Sequence, residues 1–585
     1  MPSHGSDARR TNAELARMFE RIADALEIKG ETGFRVAAYE RAARALESLD
    51  KDASELAAAG TLQEVPGIGP GTAEKIEEYL KTGRMKRYDV ALAGIPPGLM
   101  DLLEVPGLGG KTIRLAWTEL GVKGPADLKR AIADGRLASL KGMGEKKADN
   151  IRRGMELRLK SAQRIPIYEA MTIADRLLPY LKKHPDLVQV EPAGSLRRMR
   201  ETIGDIDLLA AGKNGAALIA HFTACPEVER VLAAGETKSS VIVCGLSGPR
   251  QVDLRVVAPE SFGAALQYFT GSKDHNIKLR GMAKERGLKI SEYGVFRGSR
   301  RIAGRDEEGV YRSLGLPFIP PEMREDRGEV ELGLAGKLPP IVGYGDIRGD
   351  LHMHSRHSDG RQTIAELAQA ARKMGYAYLA VCDHSRSAAY AGGLSIEALR
   401  KEMKEIDALN ARLKDFIILR AVEVDIRTDG RLDFPDSVLK ELDLTVASIH
   451  SGFKKNATER IVAALRNPWV DVIGHPTGRL ISGRAGYEMN IETVIRAAAE
   501  HGKALELNAY YDRLDLDEVN LKKAGDLGVM ISLGTDTHAA DGPAMMRFGV
   551  GIARRAWLGR SDILNCLTAA GIKKWRASRK TRVRR

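Results

Sequence analysis

Two aspartates separated by a single residue, Asp205 and Asp207, lie in a short apolar segment at residues 203–209. Side chains two residues apart project from the same face of a β-strand, so these carboxylates are expected to lie together. Adjacent carboxylates repel each other unless a cation compensates them, and Mg²⁺ binds both carboxylate oxygens and substrate phosphates. Asp253, in an alternating strand at residues 251–257, supplies the third acid that a two-metal phosphoryl-transfer site needs. The alternative is an ordinary solvated pair at a sheet edge.

A glycine, a serine and two arginines precede this segment and offer backbone N–H, hydroxyl and guanidinium groups to a triphosphate. The pattern G-S-x-R-R-x(5)-G-D-x-D resembles the nucleotidyltransferase motif of the family X DNA polymerases, the group that includes DNA polymerase beta. The resemblance implies that Asp205 and Asp207 hold two Mg²⁺ ions, and that Asp253 helps to bind the catalytic ion and to activate the primer 3′-OH. It also implies a triphosphate-binding group formed by Gly194, Ser195, Arg198 and Gly204.

A segment farther along the chain resembles the part of these polymerases that contacts the sugar of the incoming nucleotide and the DNA minor groove. In that role Tyr268 restricts ribonucleotides by crowding a 2′-OH, whereas the alternative is a plain core aromatic. Lys273 departs from the family, because the vertebrate enzyme has an acid near the incoming base at that position. The nucleotide-binding residues implied here are Tyr268, Phe269, Gly271, Asn276 and Arg280.

Three glycine turns in the first 150 residues each precede a helical pattern, at residues 65–76, 105–113 and 140–148. Free backbone N–H groups at such turns can hold a phosphate, although glycine turns also simply join helices. The turns resemble helix-hairpin-helix motifs, which grip the DNA backbone without reading bases. The DNA-binding residues implied by the first two are Gly67, Gly69, Lys75, Gly107, Gly109 and Lys111.

Lys75 matches the position of the family's Schiff-base lysine, and Arg35 and Tyr39 match neighbouring DNA contacts. Gly71 stands where the vertebrate enzyme carries another lysine. A Schiff-base lysine needs a depressed pKa, which a cluster of positive groups can provide. The sequence therefore leaves lyase activity open, and the alternative for Lys75 is a solvated position on a helix surface.

Histidines and acids follow short apolar strands throughout residues 347–538, where strands alternate with helices. Such alternation predicts a parallel barrel, whose functional groups lie at the carboxyl ends of the strands. Burying so many polar groups without a metal would be costly, and imidazole with carboxylate suits Zn²⁺, Mn²⁺ or Fe²⁺. The predicted ligands, enough for three ions, are His352, His354, Asp359, His384, Glu423, His450, His475, Asp536 and His538.

This set resembles the PHP (polymerase and histidinol phosphatase) domain, whose members hydrolyse phosphoesters. In bacterial family X polymerases the domain implies a 3′→5′ exonuclease, and in some members an abasic-site endonuclease or a 3′-phosphatase. Other polar residues nearby are predicted to have no role in the site, namely His357, Asp383, Asp425 and His501.

The composition favours a polyanionic partner, because 91 lysines and arginines against 78 acids give a net charge of +13. The four cysteines are far apart, which indicates neither a disulfide framework nor a zinc finger and is typical of a cytoplasmic protein. No apolar signal core and no membrane-spanning stretch is apparent. We expect a monomer that binds gapped or nicked double-stranded DNA and deoxynucleoside triphosphates.

The predicted architecture is a multidomain α/β protein with all-α helix-hairpin-helix domains, an α+β palm and thumb, and a distorted, TIM-like (β/α)7 PHP barrel. The basic tail is predicted either to contact DNA or to be a frayed, solubilising end. The predicted boundaries are 1–90 and 91–165 for the helical domains, 166–260 for the palm, 261–320 for the thumb, 321–345 for a linker, 346–572 for the barrel and 573–585 for the tail.

The leading hypothesis is a repair polymerase that fills short gaps and carries a metal-dependent nuclease. The runner-up is a metallophosphoesterase whose palm only docks DNA, and a third possibility is a non-catalytic tether for DNA ends. Activity assays separate the three, because only the first predicts both incorporation and degradation of nucleotides.

Overall fold

The structure is a computed structural model, and its contacts divide the chain into two units, Met1–Gln163 and Arg164–Arg585. No helix in the described part of the chain is both long and apolar enough to cross a membrane. The structure describes residues 4–31, 33–47, 53–65, 67–104, 108–140, 142–145, 147–149, 151–152, 164–453, 455–481, 486–539 and 542–582.

The first unit is helical and has a single hydrophobic core that runs from Leu15 to Ile151. Leu15, Phe19, Ile22 and Leu26 recur at helical spacing and are all buried, as their period predicts. The core draws on both predicted helical domains, whose boundary remains a prediction. The helices are His4–Ile28, Phe34–Glu47, Ala53–Ala58, Pro70–Thr82, Lys86–Leu92, Pro97–Met100, Gly110–Leu120 and Pro125–Ala133, with 3-10 turns at Leu62–Glu64 and Asp101–Glu104.

The second unit begins with a five-stranded sheet in the order β2-β4-β7-β6-β5, in which only the central pair β4–β7 is parallel. A two-stranded ladder of β1 and β3 stands beside it. The strands are β1 (Ile165–Pro166), β2 (Leu187–Pro192), β3 (Thr202–Ile203), β4 (Ile206–Gly212), β5 (Val228–Ala234), β6 (Lys238–Gly245) and β7 (Gly248–Val257), and the helices are Ile167–Leu181, Gly194–Arg197 and Gly215–Thr223.

A small helical subdomain with an antiparallel three-stranded sheet follows. Residues 321–345, predicted as a linker, include Met323 and Val330, which are buried in the same cluster as Leu314 and Leu316. Met323 and Val330 therefore pack into the core of the subdomain, whereas Leu334 and Tyr344 of the same stretch are exposed. The strands of the subdomain are β8 (Lys289–Ser291), β9 (Gly294–Arg297) and β10 (Arg300–Ala303), and its helices are Phe262–Thr270, Lys273–Glu285, Glu307–Ser313 and Glu329–Leu334, with 3-10 turns at Pro259–Ser261 and Pro321–Met323.

The remaining residues form alternating strands and helices, and every neighbouring strand pair is parallel. The strands are β11 (Gly349–Met353), β12 (Tyr378–Val381), β13 (Ile417–Arg420), β14 (Glu423–Asp425), β15 (Val446–Ser448), β16 (Val472–Ile473), β17 (Ala504–Asn508) and β18 (Ile531–Gly534). The helices are Ile364–Lys373, Ile396–Asn410, Asp436–Leu439, Ala457–Arg466, Ile491–Glu500, Glu518–Asp526, Met546–Arg555 and Ala569–Arg582, with 3-10 turns at Tyr344–Asp346, Ala389–Ala391, Gly542–Met545, Arg560–Asp562 and Leu564–Cys566.

These strands differ from a continuous closed barrel, because they form one sheet of three and one of five strands. At the first interruption β13 ends at Arg420 and β14 begins at Glu423, and a single bridge joins Glu423 to His384, which follows β12. The second separates β18 from β11, where the bridge joins Met353 to Thr537. At both places regular pairing gives way to single bridges beside the predicted metal ligands, so the backbone departs from the ladder where it carries polar side chains.

The predicted basic tail begins as a packed helix. Arg576 is buried, with its Nε 2.8 Å from Asp471, and Lys573 lies 3.0 Å from Asp443. Residues 573–576 are therefore anchored to the C-terminal region, which a charge count alone does not reveal. Residues 583–585 lie outside the described residues.

Candidate active sites

The three palm acids lie at the centre of the five-stranded sheet. Asp207 and Asp253 are direct partners across the parallel pair β4–β7. Asp205 comes one residue before β4 begins and is exposed. The strand pairing thus brings together two acids that are 46 positions apart in sequence, while the third stands at the strand entrance.

The three carboxylates repel one another, and the nearby cations Lys238 and Arg255 offset this repulsion only in part at Asp207. Burial raises the pKa of Asp207 to about 6, and the carboxylates of Asp253 and Asp205 add to the rise. Asp253 is approached by Lys238 at 3.1 Å and accepts a hydrogen bond from Gln251 at 2.8 Å. The donor set of clustered carboxylates fits a hard divalent cation such as Mg²⁺. Lys238, on β6, was not singled out from the sequence, because only the strand order places it next to Asp253.

Gly194 lies against the carboxylate of Asp207. Its φ is +59°, and a Cβ added there would lie 2.4 Å from Oδ2 of Asp207. Only glycine combines that conformation with that proximity. Ser195 follows it in the short helix Gly194–Arg197, and Gly204 lies exposed next to Asp205.

We therefore expect Gly194→Ala to reduce nucleotide incorporation by about a hundredfold, because it displaces Asp207 by roughly an ångström. The measurement is steady-state extension of a primer across a one-nucleotide gap. Gly345→Ala is the matched control, since a Cβ there meets nothing within 4 Å. Full activity of Gly194→Ala would contradict the placement of Asp207 in the site.

Arg198 is already paired with an acid of the subdomain that follows the palm. Its Nε lies 3.0 Å from Glu325, and it also donates to the carbonyl of Thr270. Gly271 is adjacent, because a Cβ there would be 3.3 Å from the Arg198 guanidinium. Arg198 thus joins the 194–200 segment to the 268–280 segment, although its predicted role toward a triphosphate remains a prediction.

The 268–280 segment is held together internally. Asn276 donates to the carbonyl of Tyr268 at 2.7 Å and accepts from Gln267 at 2.6 Å. Tyr268 and Phe269 meet edge to face, and Arg255 lies over the Phe269 ring at 4.4 Å. Both aromatics are half-buried, and Arg280 is exposed one turn beyond Asn276. The structure therefore brings the predicted residues to one place without testing what they bind.

The contact between the 194–200 segment and the 268–280 segment depends on Glu307. Its carboxylate pairs with Arg197 at 2.6 Å and with the fully buried Arg324 at 2.6 Å. Burial alone would raise the pKa of Glu307, but Arg324 and Arg197 outweigh it and lower the pKa to about 2. This ion triad fixes the residue that precedes Arg198.

Because that pKa is depressed, the stabilisation from ionised Glu307 is complete above pH 4.5 and is lost as the pH falls toward 2. We expect Glu307→Gln to destabilise the chain by about 3 kcal/mol at pH 7, with the difference shrinking below pH 4.5. Thermal unfolding across this pH range is the measurement. The adjacent exposed Glu308, replaced by glutamine, is the control, and a pH-independent difference would contradict the ionised triad.

The glycine turns of the first unit do precede helices. Gly67 has a φ of +104°, and Gly69 and Gly109 cap the helices Pro70–Thr82 and Gly110–Leu120. Gly107 lies outside the described residues, and Lys111 is exposed on its helix. These positions are compatible with the predicted phosphate contacts.

Each of the three residues predicted for lyase chemistry contacts a different partner. The Lys75 ammonium donates to the carbonyl of Gly71 within its own helix. Arg35 pairs with Glu31 at 2.9 Å, and Tyr39 accepts a hydrogen bond from Arg87 at 3.1 Å. The lyase role of Lys75 therefore stays a prediction.

In the C-terminal region, Glu423 is the centre of the predicted ligand set. It is buried at the start of β14, and its carboxylate lies 2.9 Å from His384, 3.3 Å from His450 and 2.9 Å from His475. His352 and His354 approach Oε2, the oxygen that His384 also contacts, at 3.6 and 3.7 Å. Five imidazoles from the ends of four strands, β11, β12, β15 and β16, thus meet one carboxylate.

The other predicted ligands complete the cluster. Asp359 lies 3.2 Å from His538 and 3.6 Å from His384, and Asp536 lies 3.2 Å from His354. Their atoms form three groups close enough to hold metal ions, although no ion is in the structure. The groups are His354, Asp359, His384 and His538; His352, His354 and Asp536; and His384, Glu423 and His450.

Several of these buried polar atoms have no hydrogen-bond partner in the described structure. They are Nε2 of His352, both ring nitrogens of His354, Nδ1 of His475 and Oε2 of Glu423. Burial, together with His384 and His538, lowers the pKa of His354 to about 4, so its ring is neutral as a metal ligand must be. Unsatisfied polar atoms that cluster in one place fit a metal centre.

The backbone supports this arrangement at a local cost. Asp536 and His475 have φ values of +51° and +25°, which are unusual for residues with a Cβ. Such conformations concentrate at functional sites, where the surrounding fold holds them. Here they turn two side chains inward at the ends of β18 and β16.

Supporting acids behind the histidines were not assigned a role from the sequence. Glu506 accepts from His352 at 2.6 Å and from the backbone N–H of His475 at 2.6 Å. Asp425 lies 2.8 Å from Nδ1 of His450. Such acids orient metal-binding imidazoles. The sequence pattern that could have identified Glu506 and Asp425 is an acid inside an apolar strand. This pattern applies to both residues equally.

Four family models match the chain. A Helix-hairpin-helix domain matches residues 10–85 and a SAM-like Helix-hairpin-helix tandem matches residues 99–158. The DNA polymerase beta thumb matches residues 265–325, and the PHP domain matches residues 350–510.

Three relatives extend this result. A DNA polymerase lambda from Rattus norvegicus is 28% identical over 54% of this chain and 56% of its own. A "Probable phosphatase" from Thermoanaerobacter sp. (strain X514) is 31% identical over 37% of this chain and 89% of its own. The "DNA polymerase/3'-5' exonuclease PolX" of Bacillus subtilis (strain 168) is 42% identical over 94% of this chain and 97% of its own. The chain therefore belongs to the family X DNA polymerases that carry a C-terminal PHP domain.

Proposed function

We propose that this protein is a DNA polymerase that fills short gaps during DNA repair, and that its PHP region is a metal-dependent 3′→5′ exonuclease. The observation that carries the proposal is the presence in one chain of two separate acid-rich centres, around Asp207 and around Glu423. Its relative PolX combines the same two activities in its name, at 42% identity over nearly the whole length.

In the polymerase centre, Asp205, Asp207 and Asp253 would hold two Mg²⁺ ions. When bound, these ions supply the positive charge that stabilises the attacking and departing oxygens. Asp253 receives the proton of the primer 3′-OH, whose oxygen attacks the α-phosphorus of the nucleotide while pyrophosphate leaves. Ser195 and Arg198 hold the triphosphate, and Tyr268 excludes the 2′-OH of ribonucleotides.

In the nuclease centre, the nine clustered histidines and acids would hold up to three ions, and Zn²⁺ or Mn²⁺ matches their nitrogen and oxygen donors. When bound, such ions supply Lewis acidity toward a phosphodiester. Glu506 and Asp425 fix the orientation of His352 and His450, and Glu423 draws the histidines to one point. The neutral ring of His354 stays available as a donor because its burial disfavours protonation.

The DNA partner is a gapped or nicked duplex, and the helix-hairpin-helix turns would grip its backbone through Gly67, Gly69, Gly107 and Gly109. Lys75, Lys111, Arg35 and Tyr39 contribute phosphate contacts. We infer a cytoplasmic monomer. Endonuclease action at abasic sites and 3′-phosphatase action are further candidate activities of the same metal centre.

A second candidate function is a metallophosphoesterase whose palm only docks DNA. The phosphatase relative favours it, since the similarity covers 89% of that protein and falls on less than half of this chain. A gapped duplex with a labelled primer separates the two candidates. Extension with dNTPs and Mg²⁺, and shortening with Mn²⁺ or Zn²⁺ alone, supports the combined function, whereas shortening without extension at any dNTP concentration supports the phosphoesterase.

A further inference from the structure

A helix of the PHP region, Met546–Arg555, packs against the turn that carries Arg198. Gly551 faces Met199 so closely that a Cβ on Gly551 would lie 2.4 Å from the Met199 side chain. Met199 itself has a φ of +55°. At the end of the same helix, Arg555 donates a hydrogen bond to the carbonyl of Arg198 at 2.7 Å. The nuclease region thus contacts the backbone of the proposed triphosphate-binding turn directly.

Arg555 is also the most deeply buried cation of an ion-pair network. This network joins the palm and the subdomain that follows it to the C-terminal region. The Arg555 side chain is 0% exposed and pairs with Glu325 at 2.9 Å and with Glu518. Arg327 pairs with Glu518 as well, and Arg200 stands 3.8 Å from Glu325 and 3.7 Å from Glu518. Because Arg555, Glu325 and Glu518 are largely removed from water, the attraction between them is screened less than in surface pairs.

Glu325 is the member of this network that pairs with Arg198, a residue of the proposed triphosphate site. The same Oε1 atom pairs with Arg555 at 2.9 Å and with Arg198 at 3.0 Å. Burial alone would raise the pKa of Glu325, but Arg555 and Arg198 lower it, so the carboxylate stays ionised. Glu325 therefore competes for the guanidinium that the proposed function assigns to the triphosphate.

We propose that Arg555, on the PHP helix, is a positioning residue for nucleotide incorporation in the palm. It neutralises Glu325 and holds the Arg198 carbonyl, which limits how strongly Glu325 retains the Arg198 guanidinium when a triphosphate arrives. The inference rests on the proposed role of Arg198 in binding the triphosphate. It makes the nuclease region a structural part of the polymerase site.

The arrangement predicts opposite effects for two substitutions. In Arg555→Gln, Glu325 loses its strongest competing partner and retains Arg198 more firmly, so the KM for dNTP rises. In Glu325→Gln, the negative charge that retains Arg198 is gone, while Arg555 keeps Glu518 as a partner, so the KM for dNTP falls. General damage to the fold cannot produce this pair, because it would impair both variants in the same direction.

The experiment is steady-state filling of a one-nucleotide gap by the full-length chain with Mg²⁺, varying the dNTP concentration. We expect the KM for dNTP to rise about tenfold in Arg555→Gln and to fall about threefold in Glu325→Gln, with kcat changed less than KM, since a charged hydrogen bond is gained or lost. Arg555→Lys should recover part of the loss. Exonuclease activity should stay unchanged in all three variants.

Arg547→Gln is the matched control, because Arg547 lies on the same helix and pairs across the same contact with Asp175 at 2.8 Å. It should leave the KM for dNTP unchanged. If Arg555→Gln does not fold, Glu325→Gln decides alone, and an unchanged or higher KM overturns the inference.

Arg198→Ala distinguishes a failure of the proposed triphosphate role of Arg198 from a failure of the inference about Arg555. If it leaves the KM for dNTP unchanged, the assignment of Arg198 to the triphosphate is wrong and the inference falls with it. If it raises KM while Arg555→Gln and Glu325→Gln shift KM in the same direction or not at all, the inference alone is overturned.

Discussion

Replacing Asp253 with alanine is expected to abolish gap filling, with a loss of about a thousandfold or more, while 3′→5′ degradation continues. Asp253 and Asp207 are paired across β4 and β7, so the substitution removes one carboxylate of this half-buried pair. It also removes the proposed acceptor of the primer 3′-OH proton. The remaining carboxylates cannot compensate, because Asp205 is exposed at the strand entrance.

Single-turnover extension of a one-nucleotide gap with Mg²⁺ measures this loss, and binding of the gapped duplex is followed in parallel. Glu229→Ala is the matched control, since Glu229 is an exposed acid on strand β5 of the same sheet. Unaltered DNA binding with lost extension supports a chemical role for Asp253. Extension at the native rate would show that the two-metal site does not lie in this region of the molecule.

Glu423→Gln is expected to reduce 3′→5′ degradation by about a thousandfold and to leave gap filling intact. The glutamine keeps the shape of the side chain but removes the negative charge that five histidines approach. Neither amide atom can replace a carboxylate oxygen as an anionic metal ligand. We therefore expect loss of bound metal together with loss of activity.

The measurements are degradation of a labelled single strand and the metal content of the purified protein by elemental analysis. Glu441→Gln is the control, because Glu441 is a surface acid of the same region that pairs with Arg400. Thermal unfolding checks that the buried substitution leaves the chain folded. A variant that keeps its metal and its nuclease activity would show that the histidine cluster is not the hydrolytic centre.

Much of the site was predictable because its side chains lie in segments whose secondary structure follows from the local sequence. The alternation around Asp207 and around Asp253 predicted strands, and the structure has β4 and β7 there. Glycine at position 194 was noticed for its backbone N–H, whereas the structure adds its positive φ and its closeness to Asp207. The helical period of Leu15, Phe19 and Ile22 likewise predicted the buried face of the first helix.

Other features had no local pattern to reveal them. Residues 321–345 looked like a linker, because charge and proline hide the few apolar side chains that anchor them. Glu506 and Asp425 looked like ordinary strand acids until the histidines that they orient were brought beside them. Lys238 likewise acquires meaning only from its partner across the sheet, Asp253.

By itself, the sequence determined which residue types could do chemistry and which segments would carry them, because side-chain pKa, metal preference and hydrophobic period are local properties. Only the tertiary structure decided which charged side chains pair with the same carboxylate oxygen. Glu325 receives Arg198 from the palm and Arg555 from the PHP region, and these two arginines are 357 positions apart. Electrostatic energy depends on distance and burial in space, and neither can be counted along a chain.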